Sequence, residues 1–235
     1  MKIPLSKRLQ ACCAFVAPGD RVADVGCDHG YLGIYLLTSG IAASVIASDV
    51  NEQPLSSAMT NAERFGVRDR MEFYLSDGVK DIPRDFDTLV CAGMGADTMI
   101  SILESAPWLQ SGNYRMILQC QSKTATLRHY LSDHGWRITE ETVLRDGRFL
   151  YTVMEVIWQP DYPRLTAGQE HFPPALLKNP GKELPEYYQR ILFSLNRAVA
   201  NQGEGADPDM VAALKELDND PALQWLKEEH NGNCK

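Results

Sequence analysis

The chain has 235 residues, enough for one sizeable core plus an appendage, and its 44% hydrophobic and 23% charged residues are typical of a soluble globular protein. No apolar run approaches the roughly 20 residues that a membrane-spanning helix needs, and the start, MKIPLSKRLQ, lacks the apolar region of a signal peptide. We therefore expect a cytoplasmic protein with no membrane partner. The net charge of -8 argues against nonspecific coating of nucleic acid, although a local basic face remains open.

The six cysteines, at positions 12, 13, 27, 91, 120 and 234, form no CxxC pair. This spacing favours neither a zinc site nor a disulfide framework. We expect reduced thiols and no bound metal.

The hydrophobic pattern predicts that helices and strands alternate through the first half of the chain. Ser6 is expected to cap a first helix, which Pro18 and Gly19 end. The predicted strands are Arg21–Val25, Ser44–Ala47, Met71–Leu75, Asp87–Cys91 and Met116–Leu118. The predicted helices are Tyr31–Leu37, Gln53–Phe65, Thr98–Glu104 and Thr124–Leu131. Such alternation predicts a parallel sheet with helices on both faces.

Two β-rich runs then follow, Trp136–Leu144 and Phe149–Trp158, joined across Asp146-Gly147. An Asp-Gly pair between such runs is a strong hairpin signal. An α/β fold with a mostly parallel seven-stranded sheet that ends in an antiparallel hairpin resembles the Rossmann-like class I methyltransferase architecture. That resemblance covers about residues 1–160.

The composition changes after Trp158, where six prolines lie between positions 160 and 185. We interpret residues 161–183 as a Pro-rich linker between a methyltransferase domain, 1–160, and a C-terminal helical arm, 184–235. In the arm, apolar residues recur at helical spacing from Tyr187 to Val199 and again from Met210 to Leu217, and Asp207-Pro208 can start the second run. The pattern predicts two helices that pack as an antiparallel hairpin.

The stretch VADVGCDHGYLG, residues 22–33, places a glycine turn between a predicted strand and a helix. A dinucleotide-binding fingerprint that starts at Gly26 needs glycine at the places that Asp28 and Tyr31 occupy, and a carboxylate would repel a diphosphate. The pattern present, D-x-G-x-D-x-G, is similar to the nucleotide-binding loop of S-adenosylmethionine-dependent methyltransferases. Acidic residues suit that cofactor, which carries a sulfonium and an ammonium group and no phosphate.

Two further acids follow the second and third predicted strands. Asp49 can accept hydrogen bonds from both hydroxyls of a ribose, although with Asn51 beside it a helix-capping role is open. Asp77 follows the third strand, and the fold resemblance implies that it lies near the adenine amino group, with Gly78 giving clearance. The carboxyl ends of the strands are where doubly wound sheets bind ligands.

The chain resembles, over nearly its full length, the bacterial tRNA adenine N1-methyltransferases that modify position 22. The resemblance rests on LSKRLQ at 5–10, VADVGCDHGYLGIYL at 22–36, ASDVN at 47–51, AGMGADTM at 92–99 and the late helical hairpin. It implies transfer of a methyl group from S-adenosylmethionine to N1 of an adenine in tRNA, with S-adenosylhomocysteine as product. The chain departs from the family pattern with CDHGYLG for SDHAYLP, GMGA for GMGG, and QCQ for QPN at 119–121. The last departure bears on the target base.

The motifs and the resemblance together assign residues to three roles. Asp28 is the candidate catalytic residue, expected to stabilise the methylated adenine or take its proton, although a turn-stabilising role is equally open. The candidate cofactor-binding residues are Asp24, Gly26, Cys27, Asp28, Gly30, Asp49, Val50, Asn51, Asp77, Gly78 and Gly93. The candidate substrate-binding residues are His29, Tyr31, Met94, Gly95, Gln119, Gln121, Lys7 and Arg8.

A tRNA substrate requires local positive charge on this acidic chain. The candidate cations are Lys2, Lys7 and Arg8 at the start, Lys123, Arg128, Arg145 and Arg148 around the later strands and hairpin, and Lys182, Arg190 and Arg197 in the arm. Residues 201–230 hold eight acids against two lysines, a net of -6, so we expect RNA to meet the first arm helix and not the second.

Two alternatives stay open. The same fold could act on a small metabolite or on another RNA site, and a nonenzymatic RNA-binding module would belong to a different class. Such a module has no need of acids at three strand ends. The sequence leaves the oligomeric state open, and we take a monomer as the starting expectation.

Overall fold

The computed structural model describes residues 3–232, and Lys2 and Cys234 therefore lie outside the described residues. Its strands are β1 Arg21–Val25, β2 Ser44–Asp49, β3 Met71–Leu75, β4 Thr88–Met94, β5 Arg115–Cys120, β6 Trp136–Asp146 and β7 Phe149–Trp158. Its helices are α1 Lys7–Ala14, α2 Tyr31–Thr38, α3 Glu52–Arg64, α4 Ala96–Glu104, α5 Thr124–Asp133, α6 Ala167–His171, α7 Leu184–Gln202, α8 Pro208–Asn219 and α9 Gln224–Gly232.

The strands form one seven-stranded sheet in the order β3-β2-β1-β4-β5-β7-β6. Neighbours from β3 to β5 pair in parallel, whereas β7 pairs antiparallel with both β5 and β6. The predicted Rossmann-like fold with a terminal antiparallel hairpin is confirmed. Within the described part of the chain, no helix is long and apolar enough to cross a membrane.

Both faces of the central strands are buried, which explains their continuous apolar sequence. Along β1, Ala23 and Val25 pack into one core cluster while Val22 packs into the cluster on the opposite face. Helices α1, α2 and α3 cover the second face, with Cys12 and Ala58 fully buried in it. Ser6 caps α1 as expected, since its side chain accepts a hydrogen bond from Leu9 N at 3.4 Å.

Several strands extend beyond their predicted ends, and this changes the position of candidate site residues. β2 reaches Asp49, β4 reaches Met94 and β5 reaches Cys120. Hydrogen bonding to neighbouring strands continues after the last apolar residue. The strands are therefore longer than the apolar runs that predict them. Gln119 therefore lies inside a strand and not after it.

The proline-rich segment 161–183 is packed against the rest of the chain. Thr166 begins α6 with a capping box, and Phe172 and Leu176 are buried in a third core cluster. Val143 of β6 belongs to the same cluster, which joins this segment and the arm to the end of the sheet.

The arm contains three helices among the described residues, one more than predicted. α7 and α8 pack as expected, and the Tyr188 hydroxyl donates to Leu217 O at 2.6 Å. α9 adds the buried Leu226 to their shared core. Asp220-Pro221 precedes α9 and repeats the Asp-Pro signal that starts α8, so the sequence did carry a sign of it.

Arg128 was expected among the RNA-facing cations, and the structure contradicts this. Its side chain is 1% exposed and its Nη2 lies 2.6 Å from Oε1 of Glu141, which is fully buried. A charge at this depth is paired within the protein and cannot reach a phosphate. The helical pattern of α5 could not distinguish this buried arginine from a solvent-facing one.

Candidate functional site

A cavity of about 300 Å³ opens at the carboxyl ends of β1 and β4. Its walls come from the glycine turn after β1, the first helix and the end of β4. The lining residues are Arg8, Leu9, Asp24, Gly26, Cys27, Asp28, His29, Tyr31, Leu32, Ala92, Gly93 and Met94. Nine of these were candidate site residues, while Leu9, Leu32 and Ala92 were missed because they read as ordinary apolar core positions.

The turn between β1 and α2 requires glycine at two places. Gly26 has a φ of 72°, and a Cβ there would lie 2.3 Å from Met94 Cε. Gly30 has a φ of 70°, and a Cβ there would lie 2.9 Å from the Cβ of Ala58. Both positions have the left-handed conformation that L side chains rarely adopt, and at Gly30 the close neighbour is the short Ala58, which cannot move aside as the end of Met94 can. Ser48 O holds the turn by accepting from Gly26 N and Cys27 N at 2.8 and 2.9 Å.

Asp28 lies at the centre of this turn with a φ of 50°, a conformation that few non-glycine residues adopt. Its backbone N–H donates to Asp49 Oδ2 at 3.2 Å, which fixes the peptide. Its side chain is 73% exposed, with Oδ1 3.7 Å from His29 Nε2. The carboxylate is thus held at the cavity wall and remains open to a ligand.

Asp49 ends β2 and is 8% exposed. Besides the bond from Asp28, its Oδ1 accepts from Asn51 N at 2.9 Å. Asn51 immediately precedes α3 and makes no side-chain cap. Asp49 therefore holds the turn before the helix and does not cap it, and each carboxylate oxygen keeps further accepting capacity.

Asp24 near the end of β1 is 4% exposed, and its Oδ2 has no hydrogen-bond partner among the described residues. Burial raises the pKa of this carboxyl to about 7, a backbone hydrogen bond from Gly33 lowers it, and the charge of Asp49 raises it. A buried oxygen without a donor is costly, and it lies at a cavity wall where a cationic ligand group would satisfy it.

Arg8 of α1 lines the same cavity. Its Nε is buried and has no acceptor within the described part of the chain. Its backbone N–H donates to Asp146 Oδ2 at 3.5 Å, which joins α1 to the tip of the β6–β7 hairpin. The adjacent Lys7 is exposed and does not line the cavity.

An aromatic pair forms the outer rim. The rings of His29 and Tyr31 are 5.9 Å apart at 45°, and Asn61 Nδ2 donates to His29 O at 3.0 Å. The same two residues border a shallow polar depression on α3. This rim offers a ring surface beside the cavity mouth.

Two glutamines lie near the end of β4, and the structure separates their roles. Gln119 is fully buried, with Oε1 accepting from Gly93 N at 3.1 Å and Nε2 donating to Cys120 O at 3.1 Å. The expected contact between Gln119 and a base is therefore wrong, because both ends of its amide are engaged beneath the loop. Gln121 is exposed and lies against Gly93, its Nε2 3.4 Å from where a Cβ would be. Gly95 follows, with Ser122 Oγ 2.9 Å from its own Cβ position.

The remaining candidates lie along the same sheet edge, outside the cavity. Val50 is 63% exposed, and Asp77 is exposed and paired with Lys80. Gly78 has a φ of 66°, and its carbonyl accepts from the hydroxyls of Ser48 and Ser76 at 3.4 and 3.1 Å. Because β3, β2 and β1 are neighbours in the sheet, these residues lie on the β3 side of the cavity.

The fold and the acidic glycine turn define the chain as a class I, Rossmann-like methyltransferase. The sequence matches the family described as Methyltransferase domain over residues 5–154. The chain therefore belongs to that family.

Its relatives include a Bacillus subtilis tRNA (adenine(22)-N(1))-methyltransferase, 29% identical over 154 residues, which are 65% of each chain. The chain thus spans just under two thirds of that relative in sequence. In structure, the Bacillus subtilis m1A22 tRNA methyltransferase superimposes with a TM-score of 0.76 at 26% identity, covering 97% of this chain and 99% of that one. The Streptococcus pneumoniae protein Sp1610 in complex with S-adenosyl-L-methionine gives 0.78 at 29% identity, covering 91% and 98%.

Proposed function

We propose that this chain binds S-adenosylmethionine at the carboxyl ends of β1 and β2 and transfers its methyl group to N1 of adenine 22 in tRNA, in the cytoplasm. The names of its relatives support this activity, and so does the near-complete structural coverage of a Bacillus subtilis enzyme of that name. The observation that carries the proposal is the cavity itself, where Asp24, Asp28 and Arg8 converge.

The charges of the cavity complement those of the cofactor. S-adenosylmethionine carries an ammonium, a sulfonium and one carboxylate. Asp24, with its unpartnered oxygen, suits the ammonium, and Arg8, with its unpartnered Nε, suits the carboxylate. Arg8, expected from the sequence to contact the substrate, is therefore proposed to bind the cofactor.

The strand order supports a cofactor that extends from β1 toward β2 and β3. Asp49 is placed to accept from the ribose hydroxyls through the lone pairs that its two backbone contacts leave free. The adenine would lie over the exposed Val50, toward Asp77 and Gly78. Because Gly26 and Gly30 have no side chain, the main chain can lie close to the methionine part of the cofactor.

The reaction needs alignment more than chemical assistance. The lone pair of adenine N1 attacks the methyl carbon, the carbon–sulfur bond breaks, and its electron pair stays on sulfur to give S-adenosylhomocysteine. The positive charge passes to the adenine. Asp28, exposed at the cavity wall, is placed to stabilise that cation and accept a proton from the adenine amino group.

The surface around the cavity mouth supplies candidate contacts to the RNA. Tyr31 and Met94 can contact the target base, while Lys7 and the hairpin tip, with Arg148 4.9 Å over the ring of Phe149, lie at the same sheet edge. In the arm, Arg190 is paired with Glu186, so part of the expected charge of α7 is neutralised. Arg197 is exposed on the same helix.

Single-turnover methyl transfer tests the proposed reaction. We expect transfer to tRNA with adenine at position 22 and none to the same tRNA with guanine there. Equal methylation of the guanine substrate would contradict the proposed target. Binding of S-adenosylhomocysteine, measured by calorimetry, keeps the cofactor and the target as separate results.

Substituting Asp28→Asn separates chemistry from binding. The amide keeps the size of the side chain and removes the charge that stabilises the methylated base, so we expect turnover to fall about 100-fold, or about 2.7 kcal/mol of barrier. Cofactor affinity should change far less. Asp69→Asn, an exposed acid that precedes β3 whereas Asp77 follows that strand, is the control. Wild-type turnover in Asp28→Asn would leave Asp28 as a turn residue only.

A further inference from the structure

A second cavity, of about 200 Å³, lies at the opposite edge of the sheet from the proposed cofactor site. β6 runs in the same direction as the parallel strands, because it pairs antiparallel with β7, which pairs antiparallel with β5. Trp136 begins β6 and lines this cavity, which therefore lies where the parallel strands begin. The other wall comes from residues 162–178, between the sheet and the arm.

The lining of this cavity is basic in an otherwise acidic chain. Its three charged residues are Arg137, Arg164 and Lys178, and its described lining includes no aspartate or glutamate. The chain as a whole carries a net charge of -8. A local reversal of charge in a concave site favours anionic ligands.

Two residues of this lining each carry a buried N–H group without an acceptor among the described residues. The two groups are Trp136 Nε1, on a side chain that is 4% exposed, and Arg137 Nε. A buried donor left unpaired is costly, and such groups are few in folded proteins. Their occurrence on adjacent residues of one cavity indicates an acceptor that arrives with a ligand.

Two of the three cations also lack a carboxylate partner within the described part of the chain. Arg137 donates through Nη1 to the neutral Gln159 Oε1 at 3.0 Å, with its guanidinium 4.3 Å over the ring of Tyr162. Lys178 Nζ donates to Thr139 O at 2.6 Å. Arg164, by contrast, is paired with Asp133. Arg137 and Lys178 therefore bring uncompensated positive charge to the cavity.

We propose that this cavity is a binding site for a phosphate group, which Arg137 and the Trp136 N–H bind and Lys178 neutralises. A phosphate offers several acceptor oxygens with a negative charge, and this matches a donor set without acceptors. The phosphate comes either from a small free ligand or from the RNA backbone. The site lies outside the proposed methyl-transfer site and does not depend on it.

Titration with inorganic phosphate, followed by calorimetry on the full-length chain at constant ionic strength, tests the site. We expect saturable binding that weakens about tenfold or more in Arg137→Gln, since a charge-assisted contact is lost. Trp136→Phe keeps a smaller aromatic ring and removes the indole N–H, so we expect weaker binding, and urea denaturation of the same variant checks that the fold is retained. Arg64→Gln, at an exposed arginine of α3 that lines neither cavity, is the matched control and should bind phosphate normally.

Filter binding of tRNA to the same variants shows whether the phosphate belongs to the RNA backbone or to a small free ligand. If Arg137→Gln lowers tRNA affinity and Arg64→Gln does not, the ligand is a backbone phosphate. If tRNA affinity is unchanged while phosphate binding is lost, the ligand is a small free phosphate compound. Wild-type phosphate binding in Arg137→Gln, or no effect of this substitution on either ligand, would overturn the proposal. Both measurements are independent of methyl transfer.

Discussion

Two regions of this protein hold buried charged side chains close to the sheet. In the first these side chains are fully hydrogen-bonded, and in the second they have atoms without a partner. At the junction with the arm, Arg128 uses all five of its N–H groups. Nε and one N–H of Nη2 donate to the Glu141 carboxylate, Nη1 donates to Glu170 O and His171 O, and the second N–H of Nη2 donates to the Tyr187 hydroxyl. At the proposed cofactor site, Asp24 Oδ2 and Arg8 Nε have no partner among the described residues.

This difference distinguishes an ion pair that stabilises the fold from charged groups that can bind a ligand. A fully satisfied buried ion pair joins elements and leaves nothing for a ligand, whereas unpartnered charges on a cavity wall are satisfied only when a ligand enters. Arg128 connects α5, β6, the segment before the arm and α7. Residue type alone would have grouped Arg128 and Arg8 together.

The largest expected effect is on stability at the satisfied pair. Arg128→Met leaves the buried Glu141 carboxylate without a partner, so we expect the free energy of unfolding to fall by about 3–5 kcal/mol. Urea denaturation measures it. The double variant Arg128→Met, Glu141→Leu removes both charges and should recover much of the loss. A double variant as unstable as the single one would show that hydrogen bonds to the arm, and not the unpaired charge, dominate.

A smaller effect, on cofactor binding, is expected at Asp49. Asp49→Ala removes the acceptor proposed for the ribose hydroxyls, and we expect affinity for S-adenosylmethionine to weaken by about 1.5–3 kcal/mol. Calorimetry measures the affinity, and urea denaturation of the same sample checks that the fold is retained. Unchanged affinity would restrict Asp49 to its contacts with the backbone of Asp28 and Asn51.

The smallest effect is a pH dependence at Asp24. Because burial raises its pKa from 3.8 to about 7, the folded chain holds a proton here that the unfolded chain has released, and this group lowers stability as pH rises from about 4 to about 7. The proposed ammonium contact needs the ionised form. We therefore expect cofactor affinity to rise with pH up to about 7, by about tenfold per pH unit below it, and to flatten in Asp24→Asn. An identical pH profile in that variant would remove Asp24 from the cofactor contact.

The alternation of apolar runs predicted the sheet well, because strands buried on both faces must be apolar throughout. β1 and β3 have their predicted bounds, and the Asp146-Gly147 turn joins the expected hairpin. Strand ends were less predictable. Pairing with neighbouring strands carried β5 past its apolar run, and this moved Gln119 into the core.

The candidate site was predictable where the backbone itself demanded particular residues. Positive φ and close packing favour glycine at positions 26 and 30, and these glycines can be recognised in the sequence of the turn. The sequence gives no comparable signal for Leu9, Leu32 and Ala92, because an apolar residue on a cavity wall has the same sequence pattern as one in the core.

The sequence by itself determined the alternation of strands and helices, the glycine turn and the acids that follow the strands, since each depends on residues close together in the chain. Only the tertiary structure determined which charged side chains are paired and which have atoms without a partner among the described residues. Arg128 meets Glu141 and Tyr187 from 13 and 59 residues away, while Arg8 is brought to the turn after β1 and keeps an unpartnered Nε. Burial and pairing are set by contacts between distant segments, and periodicity along one helix cannot reveal the partner that the fold brings to it.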